Sequence, residues 1–255
     1  MAASCVSDQR RGVPVAEGRA GVTESVLSAL SAGYRHFDTA SAYNTEAALG
    51  DAVIQAVRDG IVGSREDLYI TTKLAVTDAH PGRVLPALHK SLRLVLATQL
   101  IIVTLAIWNL QMEYVDLYLI HFPVSMRPPV VEGGLPVVKE DLVEMDMKGV
   151  WEEMEECHRR GLARAIGVSN FTCKKLEYLL SFAKIPPAAN QVEVHPHCRQ
   201  NKLRAFCTEK GIQLCAFSPL GAKGTAWANN SVMECPVLKQ IAHEKGKTVA
   251  QKGHI

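Results

Sequence analysis

The stretch ARAIGVSNFTCKKLEYLLSFAKIPPAANQVEVHP, residues 163–196, decides the fold. It contains a short apolar run at 163–169, a segment with helical periodicity at 172–182 and a second apolar run at 189–193. Thr172 stands where a helix N-cap is favoured. A strand, a helix and a strand joined by short connections predict parallel strands linked by a right-handed helical crossover.

The same alternation extends in both directions along the chain. No Gly-x-Gly-x-x-Gly sequence follows any predicted strand, which disfavours the dinucleotide-binding fold that carries this fingerprint. The alternation therefore predicts an α/β fold of the (β/α)8 TIM-barrel type. Further strands are predicted at 34–38, 67–73, 115–121 and 213–217, helices at 22–32, 46–58, 81–92, 150–160, 201–210 and 236–251, and a loop at 128–146.

Composition sets limits on the class of protein. The chain has 255 residues, of which 47% are hydrophobic, and its formal net charge is +2. These values are typical of a globular chain, and the length suits one barrel of about 250 residues. Because Lys and Arg (28) nearly balance Asp and Glu (26) and form no basic stripe, nucleic acid is not expected as a partner.

The seven cysteines are scattered, and none forms a Cys-x-x-Cys pair. This pattern excludes a small disulfide scaffold or a zinc ribbon and favours a reducing compartment. The first residues, MAASC, do not resemble a secretory signal. We therefore expect a cytoplasmic protein.

The segment LVLATQLIIVTLAIW, residues 94–108, contains no charged residue. Its fifteen residues fall short of the roughly 18–20 that a membrane-spanning helix needs. We interpret it as an apolar insert in the helix before the strand at 115–121, which is the fourth strand of a barrel. Membrane contact through this insert is the less favoured alternative.

Polar side chains stand at or just after the carboxyl ends of the predicted strands, where TIM barrels carry their active sites. A carboxylate, a lysine, a histidine and a tyrosine at one rim suggest proton transfer. A nearby ammonium group lowers the pKa of a tyrosine from about 10, and an aspartate would hold that ammonium. Such a set suits reduction of an aldehyde or ketone, with the hydride supplied by a nicotinamide. The residues are Asp38, Tyr43, Lys73, His121, Ser169, Asn170, Gln191, Glu193 and Ser218.

Several motifs make the sequence resemble the aldo-keto reductase superfamily, from about residue 22 to residue 251. In general character it resembles the plant members that include codeinone reductase, chalcone reductase and deoxymugineic acid synthase. The motifs are GYRHFDTASAY (33–43), ITTKL (70–74), VDLYLIHFP (115–123), AIGVSNF (165–171), NQVEVHP (190–196) and FSPLG (217–221).

The resemblance implies an NADPH-dependent monomer that reduces a small carbonyl compound. It implies a catalytic tetrad of Asp38, Tyr43, Lys73 and His121, with Tyr43 as the proton donor, and a substrate pocket that includes His121 and Phe122. It also implies contacts to the nicotinamide carboxamide, the nicotinamide ring and the cofactor phosphates. The implied cofactor-binding residues are Asp38, Ser169, Asn170, Gln191, Phe217, Ser218 and Leu220.

The sequence also departs from the superfamily pattern. Residues 1–21 form an irregular head without the expected glycine-rich first strand, and the eighth strand, the 2′-phosphate clamp and the substrate loop have no counterpart. We therefore expect an incomplete barrel over residues 22–251 that lacks its first and eighth strands. The alternative function is a catalytically impaired splice or truncation product, acting as a non-enzymatic partner or existing as an unstable fragment.

One further pair of side chains raises the question of a metal. His195 and His197 flank Pro196, and two nearby histidines are a common metal-binding pair. A proline between them is more typical of a turn at a strand end, so we expect no metal site.

Overall fold

The computed structural model describes residues 6–7, 18–92, 110–127, 139–221 and 231–253. Seven parallel strands form one sheet in the order β1-β2-β3-β4-β7-β8-β9, and β5 and β6 form a small antiparallel pair. The strands are β1 (Val6–Ser7), β2 (His36–Asp38), β3 (Tyr69–Leu74), β4 (Val115–Ile120), β5 (Ser125–Met126), β6 (Leu142–Val143), β7 (Ala163–Ser169), β8 (Ala189–Glu193) and β9 (Gln213–Phe217).

Helices connect the successive parallel strands. The parallel order confirms the predicted fold class, an incomplete (β/α) barrel in which the six longer parallel strands are those that the sequence predicts. The helices are α1 (Gly18–Ser31), α2 (Glu46–Arg58), α3 (Val84–Leu92), α4 (Met147–Arg159), α5 (Cys173–Leu180), α6 (Asn201–Glu209), α7 (Ser231–Glu234), α8 (Pro236–Glu244) and α9 (Val249–Gly253).

The centre of the sheet is the most deeply buried part of the fold. All six residues of β4 are buried, since β3 pairs with one edge of the strand and β7 with the other. Leu117, Leu119 and Ala189 form a small cluster that is separate from the main core between the strands and the helices. Gly167 lies beside this cluster, where an added Cβ would stand 2.6 Å from the carbonyl oxygen of Ala189. Only glycine therefore lets β7 and β8 approach this closely.

Local signals fix where the helices begin and end. Thr172 caps α5 as predicted, because its hydroxyl accepts a hydrogen bond from the backbone N–H of Lys175. Asp146 caps α4 in the same way, with its carboxylate accepting from the backbone N–H of Gly149. These caps satisfy N–H groups that the first turn of a helix leaves unpaired.

The first part of the chain differs from the sequence prediction. The head was predicted to be irregular up to residue 21, but α1 begins at Gly18 and β1 (Val6–Ser7) pairs in parallel with β2. A strand of only two residues thus occupies the place of the first barrel strand. The sequence predicts no strand there. A two-residue strand is too short to display the alternation by which strands are recognised.

Two other segments also differ from the elements that the sequence predicts. The predicted helix over 236–251 is divided into α8 and α9, because Gly246 adopts a left-handed φ of 59° after α8 ends. Glycine takes this conformation without steric cost, which makes it a common helix terminator. Within the predicted loop at 128–146, β6 forms antiparallel pairs with β5.

The apolar insert at 94–108 lies outside the described residues. The described chain stops before the insert at the end of α3. After the insert, it resumes next to the same end of α3. The backbone N–H of Leu110 donates to the carbonyl of Ser91 at 2.9 Å, and that of Met112 donates to Leu92 at 3.2 Å. Among the helices of the described residues, none is both long enough and apolar enough to cross a bilayer.

Candidate active site

The carboxyl ends of the central strands bring most of the predicted site residues together. Asp38 ends β2, Lys73 lies one residue before the end of β3, and His121 directly follows β4. Ser169 ends β7, and Gln191 lies within β8. Because parallel strands share one carboxyl edge, residues far apart in the sequence meet at this rim.

A buried ion pair forms the base of the site. The Lys73 ammonium contacts Oδ1 of Asp38 and donates a second hydrogen bond to the carbonyl oxygen of Thr39 at 2.9 Å. Both charged side chains are only 1% exposed. A charge pair removed from water in this way requires hydrogen bonds on its remaining polar atoms to offset the cost of desolvation.

Tyr43 lies above this pair, in a short 3-10 turn that follows β2. The Lys73 ammonium stands 5.0 Å from the centre of the tyrosine ring. The Tyr43 hydroxyl lies 3.2 Å from Nε2 of His121, within hydrogen-bond distance. The phenol group therefore stands between an ammonium group and an imidazole.

Asn170 connects His121 to the next strand. Its amide donates to the carbonyl oxygen of His121 at 3.0 Å and to the hydroxyl of Ser169 at 3.1 Å. The residue adopts a left-handed φ of 63°, which asparagine tolerates better than most residues. The Ser169 hydroxyl in turn donates to the carbonyl oxygen of Gln191 at 2.8 Å.

Gln191 completes the network. Its side-chain amide donates to Oδ2 of Asp38 at 2.8 Å, from across the sheet. The contacts thus form a closed circuit, which we call the rim network. Its members, in order of contact, are Asp38, Lys73, Tyr43, His121, Asn170, Ser169 and Gln191.

The environment of His121 keeps its imidazole neutral. Burial, with a further contribution from the Lys73 charge, lowers the pKa of His121 from 6.5 to about 3. Both effects disfavour a second positive charge at this place. At neutral pH His121 is therefore a neutral imidazole, which keeps one N–H for hydrogen bonding and lacks the second proton that an imidazolium acid would give.

The pKa of Tyr43 shows two opposing influences. Lys73 lowers this pKa, in the direction that the sequence analysis predicts, but burial has the larger effect and the net pKa is raised above 10. Desolvation disfavours the phenolate because it is the charged form. Tyr43 is consequently a protonated phenol at neutral pH.

Of the remaining predicted residues, Phe122 contacts a member of the rim network and Phe217 shares a cavity with another. Phe122 is 44% exposed, and its ring stacks on His121 with the ring centres 4.9 Å apart. Phe217 ends β9 and lines a cavity of about 580 Å³ together with Asn170. The other lining residues come from the starts of α5 and α6 and from the end of β8, so Asn170 is the member of the rim network that reaches this cavity. Ser218 is buried with a left-handed φ of 49°, and Leu220 is partly exposed.

Sequence reasoning missed the roles of two neighbouring residues. The carbonyl oxygen of Thr39 accepts from Lys73, and the hydroxyl of Ser41 donates to the carbonyl oxygen of Lys73 at 3.1 Å. Both residues lie within the motif at 33–43, but the contacts use backbone atoms, which no side-chain pattern reveals. The sequence also assigned no role to the contact between Gln191 and Asp38.

The histidine pair near the end of β8 forms local contacts. Nε2 of His195 lies 3.1 Å from Oε1 of Glu193, and Nδ1 accepts a hydrogen bond from the backbone N–H of His197 at 3.2 Å. Among the described residues, no group of three or more His, Cys, Asp or Glu side chains is arranged to hold a metal ion.

Known proteins resemble this chain closely. Deoxymugineic acid synthase 1 of Oryza sativa subsp. japonica is 58% identical over 230 residues, which cover 90% of this chain and 67% of that protein. The (1S)-1,7-diacetoxy-luvungin A aldo-keto reductase of Citrus sinensis is 56% identical over 228 residues, 89% of this chain and 66% of that protein. The chain thus spans about two thirds of the length of these relatives.

A solved structure and a family profile agree with these relatives. The crystal structure of a Bombyx mori aldo-keto reductase in complex with NADP matches with a TM-score of 0.76 and 33% identity. The match covers 96% of this chain and 71% of that chain. The profile of the Aldo/keto reductase family matches residues 19–251. The resemblance inferred from the sequence is thereby confirmed, and the chain belongs to the aldo/keto reductase family of oxidoreductases.

Proposed function

We propose that this chain binds NADPH at the carboxyl ends of its strands and reduces an aldehyde or ketone to an alcohol. The observation that carries the proposal is the position of the Tyr43 hydroxyl, which lies 3.2 Å from His121 while the Lys73 ammonium lies beneath the tyrosine ring. The membership of the family and the NADP complex of the Bombyx mori relative support the same chemistry.

The assignment of the proton donor follows from the two environments. A general acid must carry a proton at the working pH and lie within reach of the reacting oxygen. With a pKa of about 3, His121 lacks that proton at neutral pH, whereas the pKa of Tyr43 is raised above 10 and its phenol keeps the proton. We therefore assign proton donation to Tyr43 and orientation of the carbonyl oxygen to His121.

Lys73 and Asp38 support the proton transfer. When Tyr43 gives up its proton, the phenolate that forms is stabilised by the positive charge of Lys73. The carboxylate of Asp38 keeps that charge in place because the ion pair is buried. The stacked ring of Phe122 provides one aromatic wall beside His121, which suits the apolar part of a carbonyl substrate.

The residues at the rim fit a nicotinamide head group. The carboxylate of Asp38 accepts from the amide nitrogen of Gln191, which leaves the amide oxygen of Gln191 free to accept from a carboxamide N–H. Phe217 supplies an aromatic side chain at the carboxyl end of β9. NADPH would supply the hydride. Ser169, Asn170, Gln191 and Phe217 would hold its nicotinamide, Asp38 would lie close to it, and Ser218 and Leu220 would line its phosphates.

The test combines binding and turnover. NADPH is titrated against protein fluorescence, and oxidation of NADPH at 340 nm is followed with a panel of aldehydes and ketones. We expect saturable binding and turnover, with Y43F at least about 100-fold slower at saturating NADPH because it lacks the proton. The control Y178F removes a hydroxyl from the exposed surface of α5 and should match the wild type.

Two results would count against the proposal. A Y43F variant that turns over as fast as the wild type would exclude Tyr43 as the donor. A folded wild-type chain that neither binds NADPH nor oxidises it would contradict the proposed activity. That second result would favour the catalytically impaired, non-enzymatic product that the sequence leaves as the alternative.

A further inference from the structure

We propose that Gln191 is a positioning residue that holds the Asp38–Lys73 ion pair in the orientation that Tyr43 requires. The proposal rests on the proposed function of Tyr43 as the proton donor. It concerns the hydrogen bond of 2.8 Å from the Gln191 amide to Oδ2 of Asp38. This role differs from contact with a cofactor, because it acts through the ion pair.

The chemistry of the two side chains determines which end of the amide faces Asp38. An ionised carboxylate only accepts hydrogen bonds, and in a glutamine side chain only the nitrogen donates them. The Nε2 atom must therefore point toward Oδ2. A neighbour without a donor would leave this buried carboxylate oxygen facing an acceptor or an apolar group.

The contact crosses the sheet. Asp38 lies on β2 and Gln191 on β8, and three strands, β3, β4 and β7, separate them in the sheet order. The backbone of Gln191 is itself fixed, since its carbonyl oxygen accepts from the Ser169 hydroxyl at 2.8 Å and from the backbone N–H of Asn170 at 2.9 Å. The amide therefore connects Asp38 to a backbone segment of β8 that is itself held by hydrogen bonds.

The energetics explain why this contact matters for Lys73. The two oxygens of Asp38 have different donors, with Lys73 on Oδ1 and Gln191 on Oδ2. If the Gln191 donor were removed, the buried carboxylate would attract the ammonium toward both of its oxygens, because a buried acceptor without a partner is costly. The ammonium would then move away from the ring of Tyr43.

The decisive measurement is the ionisation of the Tyr43 phenol, which can be followed without enzymatic turnover. Protein labelled with 13C at the tyrosine ζ carbon is titrated by NMR, and the Tyr43 signal is assigned by its absence in Y43F. The variant Q191M keeps the size of the side chain and removes the donor. Because Lys73 lowers the pKa of Tyr43, we expect Tyr43 in Q191M to begin ionising about half a pH unit higher or more.

A matched control separates positioning from general destabilisation. Gln213 is exposed on β9, and its amide donates to the adjacent carbonyl of Leu214, so Q213M makes the same substitution away from the ion pair. We expect the Tyr43 titration in Q213M to match the wild type. A Tyr43 titration in Q191M that also matches the wild type would overturn the proposal.

A second variant tests the donor requirement in another way. In Q191E a carboxyl group faces Asp38, and it donates a hydrogen bond only when it carries a proton. Other groups that interact electrostatically with Asp38 could also contribute to a pH dependence, so the Q191E profile is compared with that of the wild type. These groups are Lys73, Tyr43, His36 and Cys215.

At saturating NADPH we expect kcat of Q191E to fall about tenfold at pH 8 and to recover toward the wild type as the pH falls. A constant ratio of kcat to the wild type at every pH would contradict the positioning role. If the wild type shows no turnover, the proposed function fails, and the Tyr43 titration still decides the role of Gln191.

Discussion

The centre of the sheet and its last strand differ sharply in how deeply their residues are buried. Every residue of β4 is buried, whereas no residue of β9 is fully buried and Gln213 and Ala216 are exposed. The difference arises because β4 pairs on both edges, while β9 is the last strand of the sheet among the described residues. The helices after β9 follow the same trend, with Val237 62% and Ile241 39% exposed on α8.

This difference separates the four residues of the proposed catalytic tetrad from Phe217, one of the residues proposed to bind the cofactor. The tetrad stands on β2, β3 and β4 or just after them, in the buried half, while Phe217 ends the exposed strand. Local stability follows burial and contact density. We therefore expect the residues of the proposed tetrad to keep their geometry under conditions in which the end of β9 opens.

The largest expected effect comes from breaking the buried pair. The substitution K73M would leave the Asp38 carboxylate buried without its counter-charge, which typically costs about 3–5 kcal/mol in the free energy of unfolding. Urea denaturation measures this loss. The matched control is K210M, in which an exposed ion pair with Glu209 beside β9 is removed and no measurable change is expected. Equal losses in K73M and K210M would show that the two regions contribute alike.

The next effect concerns pH and is smaller than the loss in K73M for each pH unit. The pKa of His121 is lowered from 6.5 to about 3 in the folded chain, so the unfolded chain binds one more proton between these values. His121 thus contributes stability that is fully present above pH 6.5 and is lost as the pH falls toward 3, by ~1.4 kcal/mol per pH unit. Urea denaturation at a series of pH values measures the slope, and H121Q should reduce it by that amount. An unchanged slope in H121Q would contradict the buried, neutral imidazole.

The smallest effect is expected at the apolar insert. Leu110 and Met112 hydrogen-bond to the end of α3, so the described chain on the two sides of residues 94–108 is joined directly at this point. Replacing these residues with a short Gly-Ser linker should change the free energy of unfolding by no more than about 1 kcal/mol, since loop length has a weak effect on closure entropy. A linker variant that no longer unfolds cooperatively would show that the insert supports the central sheet.

Much of the fold was predictable because its signals are local. The six longer parallel strands, the N-cap at Thr172 and the helices that connect the strands follow from periodicity and from capping residues. The two-residue strand Val6–Ser7 and the break at Gly246 were not predicted. A two-residue pairing has no period, and a single glycine in a helical pattern does not reveal whether the helix ends there.

The sequence by itself determined the alternation of strands and helices, the residue types at the strand ends and the resemblance to the aldo/keto reductases. Those features depend on neighbouring residues and on short motifs. Only the tertiary structure decided that Gln191 donates to Asp38, 153 positions away, and that Asn170 donates to the carbonyl oxygen of His121. Contacts across the sheet depend on how the sheet curls and on which strands pair, and local periodicity in the sequence does not reveal either.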